Sequence, residues 1–330
     1  MGLSSFADGH LWGARYGSGR PRILALHGWR RDHHDFDAVL SGLDAIALDL
    51  PGFGAAKEPP APWSSRDFAE QVAPVLSEMA PGQVVLVGHS FGARVAVHLA
   101  GLSSAGLSSA GLPSAGLPSA GLPSAGLPSA GLPSAGLPSA GLPSAAQSEP
   151  AGPGKSGRVG TLVLTGAPLA PFPGRRAPRR PPLGFRAGRA LHRLGVLPDA
   201  RMERLRGKYG SEDYRQASPV MRGVLVKAVA ETAGAAYVPL LRDWLVAGGD
   251  LELVWGEADE VASLEGASLG LAGAQAPAGV PPVPGGHAQV TTTVVPGAGH
   301  LLNAALAAAV RAAVLRHLPE AAVETAACTR

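Results

Sequence analysis

Two apolar rhythms alternate along the first hundred residues. Leu11 to Tyr16, Arg22 to Leu26 and Ala45 to Leu50 are short, largely apolar runs with the length of strands. Phe36, Val39 and Leu40, and then Phe68, Val72, Val75 and Met79, recur instead at helical spacing. Ser64 and Ser65 stand where they can cap the second of these helices, and Pro74 predicts a bend in it. Val84 to Val87 form another buried strand, followed at once by Gly88-His89-Ser90-Phe91-Gly92 and an amphipathic run from Ala93 to Leu99. This order of strands and helices predicts an α/β architecture: a mostly parallel sheet with helices on its faces.

The second half resumes with a strand over Val159 to Thr165. Residues 169–246 then carry no strand signal. Leu191, Leu194 and Leu197 with Met202 and Leu205 suggest short amphipathic helices, and Val220 to Ala230 and Val238 to Val246 suggest more. Leu251 to Trp255 and Val290 to Val295 read as the last strands, with a loose Gly/Pro/Ala segment over 264–287 before the second. A closing helix carries Leu302, Leu306, Val310 and Val314 in line and stops at Pro319.

One stretch obeys neither rhythm. From Gly101 to Ala145 a pentapeptide recurs nine times, Gly-Leu-Ser-Ser-Ala twice and Gly-Leu-Pro-Ser-Ala seven times. A period of five fits neither helix nor strand, and the repeated proline excludes a continuous helix. The expectation is an irregular, disordered insertion over 101–157, set against a competing short β-solenoid. The remaining chain divides into a core of 1–100, 158–168 and 247–330 and a helical region of 169–246.

Composition narrows the class. Of 330 residues 46% are apolar, enough for a sizeable core. The one cysteine, Cys328, excludes a disulfide framework and a cysteine-based metal site. No stretch reaches the ~18 apolar residues of a membrane span, and Met1 to His10 lacks a signal pattern. A soluble, cytoplasmic protein is expected, with no membrane partner. Net charge is only +3, so nucleic acid is not expected either. The charge is uneven, however, with ten arginines against two acids between Arg175 and Arg206.

Gly88-x-Ser90-x-Gly92 between a strand and a helix is a nucleophile elbow. The tight turn raises a serine on strained backbone, and small flanking residues let neighbouring segments approach it. A serine hydroxyl needs a base. His300, in the Gly-rich turn Gly297-Ala298-Gly299-His300 after the last strand, is the first choice, and His287 the second. His27, His33, His34 and His89 are read as structural or loop histidines. The acid that orients the base is Asp259, three residues past Gly256, with Glu257 and Glu260 as competitors. No metal site is expected, since the histidines do not pair at ligand spacing with acids or cysteine, and Gly28, Gly52 and Gly54 make no dinucleotide fingerprint, since no Gly-x-Gly-x-x-Gly opens a helix after the first strand. No cofactor is therefore implied.

These motifs, with His27-Gly28-Trp29 and Asp49-Leu50-Pro51-Gly52-Phe53-Gly54, resemble the α/β-hydrolase family in order and spacing from about residue 11 to 318. The resemblance implies an eight-stranded, mostly parallel sheet, a helical cap inserted after the sixth strand, and a Ser90–Asp259–His300 triad. It also implies an oxyanion hole made by the backbone N–H groups of Trp29 and Phe91. The function expected is hydrolysis of a carboxylic ester or related small acyl compound through an acyl-enzyme. The alternatives are carbon–carbon bond cleavage by the same triad, or a non-catalytic binding protein on this fold. Arg186, Arg189 and Arg193, on one helical face of the cap, are the candidate contacts for an anionic substrate.

Overall fold

The computed structural model describes residues 2–104, 157–173, 182–209, 211–271 and 289–319. Its centre is an eight-stranded sheet of β1 (Leu3–Phe6), β2 (Leu11–Tyr16), β3 (Ile23–Leu26), β4 (Ala45–Asp49), β5 (Gly82–His89), β6 (Gly157–Thr165), β7 (Asp250–Gly256) and β8 (Val290–Val295). The spatial order is β1-β2-β4-β3-β5-β6-β7-β8. β2 runs antiparallel to β1 and β4, and every other pairing is parallel.

Period-two alternation sends each strand's side chains to opposite faces. Leu24, Leu26, Leu86, Leu162 and Leu164 join one core, where they meet α2 (Ser65–Val72), α3 (Phe91–Ser104) and α8 (Tyr237–Val246). Ile23, Ala25, Val85, Val87 and Val163 join the other, against α1 (Asp37–Leu40) and α10 (Ala304–Leu315). The strands of the sheet's middle are buried on both sides, which is why they read as continuous apolar runs.

Ser64 caps α2 as expected, in a reciprocal capping box with Asp67. The bend forecast at Pro74 is a change to 3-10 geometry over Ala73–Ser77. Two elements escaped the sequence reading. β1 precedes the first strand expected; its Leu-Ser-Ser-Phe is too short for a pattern, and only Phe6 is buried. The segment read as loose from residue 264 begins with a helix, α9 (Leu264–Leu271), in which Leu264, Ala267 and Leu271 turn inward at helical spacing.

Between β6 and β7 lie α4 (Leu183–Arg193), α5 (Asp199–Tyr209), α6 (Glu212–Gln216), α7 (Pro219–Ala233) and then α8. α7 sits over the sheet's carboxyl edge: Lys227 Nζ donates to Pro62 O at 2.7 Å, and Thr232 Oγ1 to Pro168 O at 2.7 Å. Of the pentapeptide repeat, Gly101 to Ser104 close α3; the rest lies outside the described residues, as do 272–288, Arg175, Arg176, Arg179, Arg180 and His287. No single helix among the described residues is long and apolar enough to cross a membrane.

Candidate active site

Four loops meet where parallel strands end, the place an open α/β sheet offers a ligand. Trp29 follows β3, Ser90 follows β5, Asp259 follows β7 and His300 follows β8. Ser90 has φ +50°, a left-handed conformation that costs a non-glycine residue about 1–3 kcal/mol. Two bonds hold it there: Ser90 N–H donates to Thr165 O and Gly92 N–H to His27 O, both at 3.0 Å. Gly92 is needed for the second contact, since a Cβ there would sit 2.1 Å from Leu26 O.

Ser90 Oγ lies 2.9 Å from His300 Nε2, and His300 Nδ1 lies 2.9 Å from Asp259 Oδ2. The other oxygen of Asp259 accepts the backbone N–H groups of Val261 and Ala262, at 2.8 and 2.9 Å. Burial alone would raise this carboxyl's pKa. The bonds from His300, Ala262 and Val261 outweigh it and hold Asp259 below the ordinary carboxylate value. An ionised Asp259 fixes the proton of His300 on Nδ1, leaving Nε2 free to accept from the serine. The loops carrying the acid and the histidine are laced together, Glu257 N–H to Val295 O and Ala258 N–H to Ala298 O. Beneath them Gly166, at φ +53°, leaves room that a side chain would fill: a Cβ would approach His300 Nδ1 to 2.9 Å and Asp259 Oδ2 to 3.2 Å.

Of the competing acids, Glu257 accepts from Gly297 N–H, and both Glu257 and Glu260 are exposed. Asp259 is the one of the three that reaches His300. His27 is buried and accepts the Leu50 N–H on Nε2 at 3.0 Å, a brace for the loop it precedes. His33, expected on a polar loop, is instead buried against Asp49 at 2.8 Å, because Asp49 gathers that side chain, the His33 N–H and the Ala55 N–H to tie two loops together. The Trp29 and Phe91 N–H groups have no hydrogen-bond partner among the described residues. Their rings, with Phe53 and Phe68, form a cluster of edge-to-face contacts at 5.0–5.4 Å. Among the described residues no three His, Cys, Asp or Glu side chains converge as a metal site requires.

Ser90 opens into a cavity of about 540 Å³. Trp29, Phe91 and Arg94 line it from the core, and Asp213, Leu225, Val229 and Thr232 from α6 and α7. Arg186, Arg189 and Arg193 lie on the exposed side of α4 and are not part of that lining. Arg94 escaped the sequence reading. The signal available was its place in the first turn of the helix that follows Ser90.

Residues 23–313 match the Alpha/beta hydrolase family profile. Over 98 residues the chain is 39% identical to the esterase Rv0045c of Mycobacterium tuberculosis, 29% of this chain and 33% of the relative. Over 94 residues it is 39% identical to the lipase LipV of the same organism, 26% of this chain and 34% of that one. The matches thus span about a third of these curated relatives' length. Among solved structures, the thioesterase domain from the curacin biosynthetic pathway shares the fold, with a TM-score of 0.52 at 17% identity over 95% of this chain and 98% of that domain.

Proposed function

The chain belongs to the α/β-hydrolase family, and from that premise we propose that it hydrolyses a carboxylic ester of a small molecule through an acyl-enzyme on Ser90. The observation that carries this reading is the unbroken chain of hydrogen bonds from Asp259 through His300 to a serine held in a left-handed turn beside a cavity. In the first step His300 Nε2 takes the hydroxyl proton as Ser90 Oγ attacks the ester carbonyl, and Asp259 stabilises the imidazolium that forms. The carbonyl oxygen, now negative, turns to the free N–H groups of Trp29 and Phe91. His300 then passes its proton to the departing alcohol. Water, deprotonated by the same nitrogen, releases the acid and restores the serine.

A cavity of this volume falls in the range that small ligands occupy, and its Leu225, Val229 and Phe91 suit an acyl chain. Carbon–carbon cleavage by the same residues is not favoured, since an esterase and a lipase are among the relatives the chain resembles. The test is labelling with a fluorophosphonate beside a panel of esters of graded chain length. Wild type should be labelled and turn over esters. Ser90→Ala should lose both, and His300→Ala and Asp259→Asn should lower kcat by at least about 10³-fold. A Ser90→Ala protein that hydrolyses esters at the parent rate refutes the assignment.

A further inference from the structure

Arg94 is 8% exposed, yet no carboxylate lies within ion-pair distance of its guanidinium among the described residues. Nη2 donates to Thr232 Oγ1 at 3.0 Å, an oxygen whose own proton goes to Pro168 O, and Nε is buried with no partner. The carboxylate that acts on it from a distance, Glu231, is engaged by the Ser65 hydroxyl and the Tyr237 hydroxyl. A cation taken out of water without a counter-ion is costly, so it calls for an anion that arrives later. The side chain lines the cavity that Ser90 opens into. Ser90, the residue before α3, and Arg94, in the first turn of that helix, line the same cavity.

We infer that Arg94 is the anion-binding subsite of this cavity: it pairs with a free carboxylate on the substrate's acyl chain while the ester carbonyl sits at Ser90. The substrate class is then the monoester of a short dicarboxylic acid. Selectivity follows from the same geometry, because a neutral acyl chain leaves the guanidinium buried and unpaired, and a site built for a polar group rejects analogues that lack it. Arg94 thus takes the part that the arginines of α4, exposed and away from the cavity, were expected to play. The alternative is that Arg94 is a bolt holding α3 to α7 through Thr232.

The inference rests on the hydrolase reading for the position of the ester, so its test has an arm that needs no turnover. Binding of monomethyl adipate to the Ser90→Ala protein, measured by calorimetry, should weaken tenfold or more when Arg94→Gln is added and recover in part with Arg94→Lys. In the catalytically intact protein, the ratio of kcat/KM for monomethyl adipate over its neutral isostere, methyl 6-methylheptanoate, should fall tenfold or more in Arg94→Gln. Thr232→Val removes the bolt but keeps the guanidinium, and should preserve that ratio. No binding of monomethyl adipate, equal losses for both esters, or a Thr232→Val variant that behaves like Arg94→Gln overturns the subsite. Arg94-dependent binding without turnover of either ester would retain the subsite and sink the ester-hydrolase reading instead.

Discussion

His89 fills the variable place in Gly-x-Ser-x-Gly, and its surroundings make it sensitive to protons. It is 1% exposed, its ring lies 5.3 Å from that of His300, and its Nε2–H donates to the His300 carbonyl at 3.0 Å. Nδ1 has no partner, and Asp35 Oδ2, 3.8 Å away, has none either. Burial pushes the His89 pKa down to about 4, with the charge of His300 acting in the same direction. The unfolded chain, near 6.5, therefore binds more protons than the folded one between those values. Stability is then complete above about pH 6.5 and falls as pH drops toward 4, by up to about 3 kcal/mol from this residue. Burial lowers His27 as well, with the same sign. His89→Gln keeps a donor for the His300 carbonyl but cannot titrate, so its urea midpoint should fall less than the parent's between pH 7 and 4.5. Equal slopes would remove His89 from the acid response. Nothing in the sequence announces this, because a histidine in the elbow has the same neighbours in the chain whether its ring meets water or His300. That Ser90, Asp259 and His300 come close together was legible because each follows a strand's carboxyl end, whereas the contacts of His89 with His300 and of Arg94 with Thr232 join positions that no local pattern links.

At the level of elements, the separation between Asp259 and His300 depends on how β7 and α10 are joined, since the acid follows one and the histidine precedes the other. Their far ends are tied through Glu252, 3% exposed on β7, which accepts Arg316 Nη2 at 2.8 Å and His317 Nε2 at 3.0 Å. Burial would raise the Glu252 carboxyl, but the bonds from Arg316 and His317 prevail and hold it below its usual value. A depressed carboxylate contributes stability above its unfolded pKa of about 4.3 and loses it as pH falls through the folded one. Because the Arg316 side chain is 47% exposed, solvent screens the pair, and Glu252→Gln should cost only about 1–2 kcal/mol at pH 7. Denaturant curves should show that gap narrowing toward pH 3; a gap unchanged with pH would mean packing, and not charge, is what the substitution disturbs. The apolar runs and helical stripes revealed most of the elements, since strands buried on both faces leave an unbroken signal. β1 was illegible because an edge strand of four residues needs only one buried side chain, and α9 because glycine and serine dilute its stripe.

For the whole molecule the open question is what residues 105–156, which hold most of the pentapeptide repeat, contribute to the rest. α3 ends at Ser104 and β6 begins at Gly157, and the two are already in contact, with Val159 N–H donating to Ser103 Oγ at 3.1 Å. Gly157 also pairs with Gly82, at the amino end of the parallel strands. Ser90, Asp259 and His300 all follow the carboxyl ends of their strands, so the chain leaves and re-enters the sheet on the side opposite the site. Among the described residues, the segments on either side of 105–156 pair into one eight-stranded sheet and form two apolar cores and the cavity. Joining Ser104 to Gly157 through a short Gly-Ser linker has only a small gap to span, and it leaves untouched the helix behind the nucleophile and the strand whose Thr165 carbonyl holds Ser90. The shortened protein should therefore unfold cooperatively near the parent's Tm and keep kcat/KM for its best ester within about threefold, a change of under about 1 kcal/mol in transition-state stabilisation. If it fails to fold, or folds and loses turnover, the repeat is bound into the hydrolase body, and the division of the chain into a core with an inserted segment falls with it.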